Sequence, residues 1–449
     1  MSAWPELRDT RTVRAQSTTG TVVRCGLVDT MLADLAVSVV YFFERPLDEE
    51  RLAEGLARAL ELLPTFAGRL RTRDDQLEIV CDNSGVPLEV YDVGDTLAEA
   101  MGRVTLPGSG LVDQVDASAA RSGGLPLLTV RLSRLGDGAA ALGCSWHHAL
   151  GDVQTFMLLM RAWSAAVEQL PLPEAVLVQD QDAYLERVLP PQDCGRPGFR
   201  LPSPQEAAVL RREFESATRA NRTVQVYFGD AEIRRMREEL SAAAGQKLSV
   251  GDVLCAHAVS TIRRLDEDTE ARHLTMPVNV RRPLDLPAAT VGNLLSEIHL
   301  LCPPQAPPEQ IAVAIRSAVE DFTRSHLNLR ANLAFLEAIG RSRFRDCVPL
   351  GFDPERRRFT FSNWSRFGAY EAAFAGQRPV FFSPAGNLPL PWVSWMVEGF
   401  EGTGALFTVV LPTRLAARLR TPEGRAALHR FRAQEDPLPQ GAESVRKVL

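Results

Sequence analysis

The chain has 449 residues and a formal net charge of −6, with 45% hydrophobic and 24% charged residues. That is the balance of a folded soluble protein, not a disordered one, and an acidic surplus argues against a nucleic-acid partner. The length exceeds one ordinary hydrophobic core and predicts two domains of roughly 200 residues each. The polar opening MSAWPELRDTRTVRAQ and the lack of any long apolar run predict no membrane helix and a cytoplasmic location. Seven cysteines are scattered singly without a CxxC pair, so neither a disulfide framework nor a metal site is expected.

In chain order, residues 10–16 and 37–43 read as strands. Residues 48–63 read as an amphipathic helix, with Leu52, Leu56, Leu60 and Leu63 at helical spacing and Pro64 ending it. Residues 69–73 and 77–81 read as paired strands across Asp74 and Asp75. Residues 127–132 form another strand, and Gly136-Asp137-Gly138 turns the chain into the apolar run 139–146. That run ends on His147 and His148, Asp152 follows, and a buried helical pattern begins. Residues 171–204 carry seven prolines and little periodicity and read as a crossover over the surface. In the second half, 223–228, 274–278, 296–301, 359–361, 380–382, 393–397 and 406–411 read as strands. Helices are expected at 231–244, at 250–264 with Ser249 as its cap, and near 308–325. The mixture predicts an α/β fold of two layered domains, at 1–185 and 216–449, joined by a linker at 186–215.

The chemical centre of this pattern is SWHHALGD, residues 145–152. An imidazole is the commonest general base, and His148 stands at the mouth of a buried strand. No activated serine lies beside it. Cys144 sits inside the apolar run and reads as a core cysteine rather than a nucleophile. A direct transfer without a covalent enzyme intermediate therefore fits best. Asp152 fits two readings, an orienter of the histidine or the N-cap of the following helix. His147 fits a core or supporting side chain.

SWHHALGD resembles the HxxxD motif of the BAHD acyltransferases. The resemblance extends to PLDEERLAEGLARALELLPTFAGRL (46–70), LEIVCDNSGVPLEV (77–90), LSVGDVLCAHAVSTIRR (248–264), MPVNVRRPLDLP…VGNLLSE (276–297) and SNWSRFGAYEAAFAGQRP (362–379). It implies two chloramphenicol-acetyltransferase-like domains with the active-site channel between them. It implies acyl-CoA as co-substrate with no bound cofactor, a small-molecule alcohol as acceptor, and a monomer. By the same resemblance His148 is the general base, and Ser362 and the Trp364 indole meet the oxyanion. Asp152 pairs with Arg281 across the domain boundary instead of orienting the histidine, and Asn293 stabilises the turn after Gly292. A doubled histidine also occurs in the HHxxxDG motif of condensation domains, which take carrier-protein thioesters and amine or alcohol acceptors. Here Val153, not glycine, follows Asp152. The family's DFGWG segment reads AFAGQ (373–377), which keeps only Phe374 and turns attention to how the donor is held. Arginines 341, 343, 345 and 356–358 are candidates for CoA phosphates.

Overall fold

The computed structural model describes residues 5–17, 20–189, 195–324, 328–344, 346–353, 357–385 and 391–439. Two six-stranded mixed sheets carry the architecture. In the first, the strands run in the order Glu6–Val13, Val86–Val93, Leu128–Leu135, Ala140–His147, Ala36–Phe43 and Phe381–Pro384. In the second the order is Asn221–Phe228, Ala405–Pro412, Val393–Glu398, Arg358–Asn363, Arg272–Asn279 and Leu295–Cys302. The fold is α/β with two such units, and no described helix is long and apolar enough to cross a membrane.

Local chemistry explains much of the first sheet. Asp48 accepts a hydrogen bond from the Arg51 N–H and starts the helix Glu49–Leu62, whose Leu52, Leu56 and Leu60 are buried. Asp74 and Asp75 both adopt positive φ, 50° and 61°, in the two-residue turn joining Arg69–Arg73 to Gln76–Val80. Every residue of Ala140–His147 is buried, because this strand has partners on both edges and layers on both faces. Helix Val153–Val167 packs on Glu49–Leu62, and the Trp163 indole donates to the Leu52 carbonyl at 2.8 Å.

Two features depart from the sequence reading. The prolines of 171–204 do not keep that stretch irregular. Helix Gln181–Val188 starts on Asp180, and Pro204 opens helix Pro204–Ala220, with Ser203 and Glu206 forming its capping box. Strand Phe381–Pro384, from the second half of the chain, completes the edge of the first sheet beside Ala36–Phe43. Residues 440–449, within the polar C-terminal stretch, lie outside the described residues.

Candidate active site

The two adjacent histidines end in different surroundings. His147, the last residue of its strand, is fully buried. Its Nδ1 accepts the Ala149 N–H at 3.1 Å, so Nε2 carries the proton and lies 3.3 Å from the Ala117 carbonyl oxygen. Burial pushes this imidazole down to about 4. It is a neutral brace for the turn and does not line the cavity described below.

His148 opens a short 3-10 turn, His148–Leu150, which Gly151 ends at φ 142°. A β-carbon there would lie 2.7 Å from the Thr155 side chain, so the close approach of turn to helix requires glycine. Asp152 then caps helix Val153–Val167, its Oδ1 accepting the Thr155 N–H at 3.0 Å.

Asp152 also meets the second half of the chain. Arg281 donates to it through Nη1 at 2.6 Å and Nη2 at 3.2 Å, and both residues are buried. The guanidinium further donates to the Thr290 and Gly292 carbonyls, while Leu294 N–H reaches Asp152 Oδ2 at 3.3 Å. Each charge is thus surrounded by partners, the condition under which a buried pair is tolerated. Asp152 serves as both N-cap and partner of Arg281, and its hydrogen bonds go to Thr155, Leu294 and Arg281.

Asn293 does more than complete a turn. Its Nδ2 donates to the His148 carbonyl at 2.7 Å and to Asp29 Oδ1 at 2.7 Å. The His148 Nδ1 and the Asn293 Oδ1 are both buried without a well-formed hydrogen bond. The His148 carbonyl and the Asn293 side chain nevertheless favour a proton on this ring, although burial lowers its pKa overall.

His148 lines a cavity of about 410 Å³ bounded by both halves of the molecule. Ser362 and Trp364 line it too, on and just after strand Arg358–Asn363. The Trp364 indole N–H donates to Ser362 Oγ, 2.9 Å away, a bond that the serine accepts and that does not use its own O–H. Much of the wall is apolar, including Leu35, Val37, Trp146 and Trp395. Polar residues line it as well, among them Asn279, Glu297, Asn332 and Thr360 from the second half and Asp34, Gln114 and Asp116 from the first. No lysine or arginine lines it among the described residues. Sequence reasoning missed Asp29 and Glu297. The signal for Asp29 was an acid within the otherwise apolar run CGLVDTML, where a buried carboxylate demands partners. Glu297 lies in the strand LSEIHLLC, where the letters alone read it as an ordinary outward-facing side chain.

The remaining candidates are not at the cavity. Cys144 is buried, and desolvation holds its thiol far above the ordinary range. None of AFAGQ lines the cavity. Phe374 instead packs edge-on against Trp163 and Phe43. Ser164 exchanges hydrogen bonds with the Ala373 backbone, and Gln377 Nε2 reaches the Arg45 and Pro46 carbonyls. Of the arginines, Arg341 is paired with Asp182, and Arg357 with Asp268 and Glu270. Arg358 is buried against Thr275 and His299. Arg345 and Arg356 lie outside the described residues.

Two mixed α/β units share a cavity, with a histidine set into its wall. A sequence profile described as the Transferase family matches residues 8–402, and the chain belongs to that family, the BAHD acyltransferases. It is 25% identical over 379 residues to a rosmarinate synthase from Plectranthus scutellarioides, covering 81% of this chain and 84% of that protein. It is 26% identical over 399 residues to a hydroxycinnamoyl-CoA:5-hydroxyanthranilate N-hydroxycinnamoyltransferase from Avena sativa, covering 77% and 82%. The crystal structure of vinorine synthase superposes with a TM-score of 0.69 at 16% identity, over 92% of this chain and 96% of that one, a likeness of fold.

Proposed function

We propose that this protein transfers an acyl group from acyl-CoA to a hydroxyl of a small-molecule acceptor, with His148 as general base. The observation that carries the reading is the imidazole's environment. The Nδ1 edge is buried beside Asn293, and His148 lines the cavity, which leaves Nε2 as the nitrogen able to meet an acceptor. Burial also keeps the ring neutral near pH 7, the form a base needs.

The acceptor O–H gives its proton to His148 Nε2 as its oxygen attacks the thioester carbonyl carbon. The C=O π electrons move onto oxygen, and the Ser362 hydroxyl, held from behind by the Trp364 indole, donates to that oxyanion. Collapse re-forms the carbonyl and breaks the C–S bond. His148 then returns its proton to the departing CoA sulfur, giving the ester and a free thiol. No covalent intermediate forms on the protein, in keeping with a buried Cys144.

The wall formed by Asn279, Glu297, Asn332 and Thr360 suits a neutral acceptor that donates hydrogen bonds, such as a polyhydroxylated alcohol. A carboxylate on the acceptor would face Glu297. An alcohol acceptor distinguishes this reading from the N-acylation named for the Avena sativa relative.

The test is thiol release and product mass from acetyl-CoA or p-coumaroyl-CoA with panels of neutral alcohols, amines and hydroxy acids. Neutral alcohols should give the acylated product. His148→Ala should lower the rate by about 10²–10⁴-fold, the usual share of a general base. A variant that keeps full rate would sink the assignment, and a preference for hydroxy acids would sink the acceptor class.

A further inference from the structure

We propose that Asp29 is a positioning residue. Acting through the Asn293 side chain, it holds the His148 imidazole in the tautomer that leaves Nε2 free to accept a proton. The inference rests on the general-base reading of His148 and extends it to a residue that never meets substrate.

Asp29 is 3% exposed, and Oδ2 accepts the Gly26 N–H at 2.7 Å while Oδ1 accepts Asn293 Nδ2–H at 2.7 Å. The same Nδ2 gives a hydrogen bond to the His148 carbonyl. Both donors of the Asn293 amide are therefore committed, which fixes which way its oxygen turns. With the amide reversed, Oδ1 would face the Asp29 carboxylate and a carbonyl, and three acceptors would meet without a proton. Asp29 therefore sets the amide, which holds the His148 carbonyl through Nδ2, and carbonyl and amide together favour a proton on the His148 ring against the effect of burial. The chain of contacts crosses the molecule, since Asp29 belongs to helix Leu27–Met31 and Asn293 follows Gly292 in the second half.

The ionised carboxylate fits its two N–H donors, whereas the protonated acid would hold Asn293 more weakly. Burial raises this carboxyl to about 7, so the switch falls within the working range. The charged neighbours on the elements packed here are few. Asp182 accepts the Leu27 N–H and is paired with Arg341, and it adds to the rise. Arg330, on the helix Leu329–Ile339, is directed at the Leu189 carbonyl.

The test needs no substrate. In protein labelled with ¹⁵N-histidine, the His148 resonances, identified by their loss in His148→Ala, should report the Nδ1–H tautomer above pH 7. They should also show a step near pH 7 apart from the ring's own titration. Asp29→Asn, which does not titrate, should remove that step. Asn293→Ala should remove it too and should shift the tautomer population. If both variants melt as folded proteins and keep the wild-type spectrum and pH response, the proposal is overturned. In kinetics, Asp29→Asn should lower kcat above pH 7, where the wild-type carboxylate is ionised, and leave it near the wild-type value below pH 7, with KM little changed. A purely structural role would lower kcat equally at every pH. Absence of turnover with any thioester would count against His148 as a base and would leave the spectra to decide the role of Asp29.

Discussion

Helix Val153–Val167 is tied to the second half of the chain at both ends, by opposite means. At its N-terminus the tie is charge: Asp152 and Arg281, buried together with backbone carbonyls around them. Near its C-terminus the tie runs through backbone groups and an aromatic ring, with no ion pair among the described residues. Ser164 bonds the Ala373 backbone, Glu168 accepts the Gly376 N–H, and Phe374 packs on Trp163. A charged tie constrains the side chains on both partners, because either one left alone is a buried unpaired ion. A tie made through backbone groups and one aromatic ring constrains the path of the chain more than its sequence. That difference explains how AFAGQ keeps only Phe374 of DFGWG while the segment still docks. The departure lies away from the cavity wall.

The contrast breaks most visibly at the charged end. Arg281→Ala should destabilise the fold by about 3–5 kcal/mol in denaturant titrations and abolish transfer, because it strands Asp152 beside the catalytic turn. A small loss would mean that water reaches the pair.

Acid should loosen the same end selectively. His147 braces this turn as a neutral imidazole with a folded pKa of about 4, below its usual 6.5. Between those values the unfolded chain binds the proton and the folded one does not. The contribution is therefore present above pH 6.5 and is lost as pH falls towards 4. His147→Gln should make the pH dependence of the urea midpoint shallower, by up to about 1.4 kcal/mol per pH unit. Asp29 acts in the opposite sense, since its raised carboxyl favours the folded state at low pH and that gain disappears as pH rises through about 7.

The end tied through backbone groups should give the smallest response. Gln377→Ala removes two side-chain bonds to the Arg45 and Pro46 carbonyls and should cost about 1 kcal/mol, with kcat little changed. A large fall in kcat with stability intact would mean that the AFAGQ loop takes part in the chemistry.

What the sequence determined by itself was local. Apolar periodicity and capping residues placed the helix Glu49–Leu62, the hairpin at Asp74 and Asp75, and the strand, turn and capped helix around His148 and Asp152. Those features depend on residues within a few positions of one another, and spacing records them. Resemblance added Arg281 as the partner of Asp152, which no local pattern contains. Only the tertiary structure set the His147 ring against the Ala117 carbonyl, outside the cavity lining. It also joined Phe381–Pro384 to the first sheet and brought Asp29 to Asn293, 264 residues away. Such contacts form because buried polar groups must find partners wherever the packed chain brings them. A linear sequence shows that Asp29 needs a partner but not which residue supplies it.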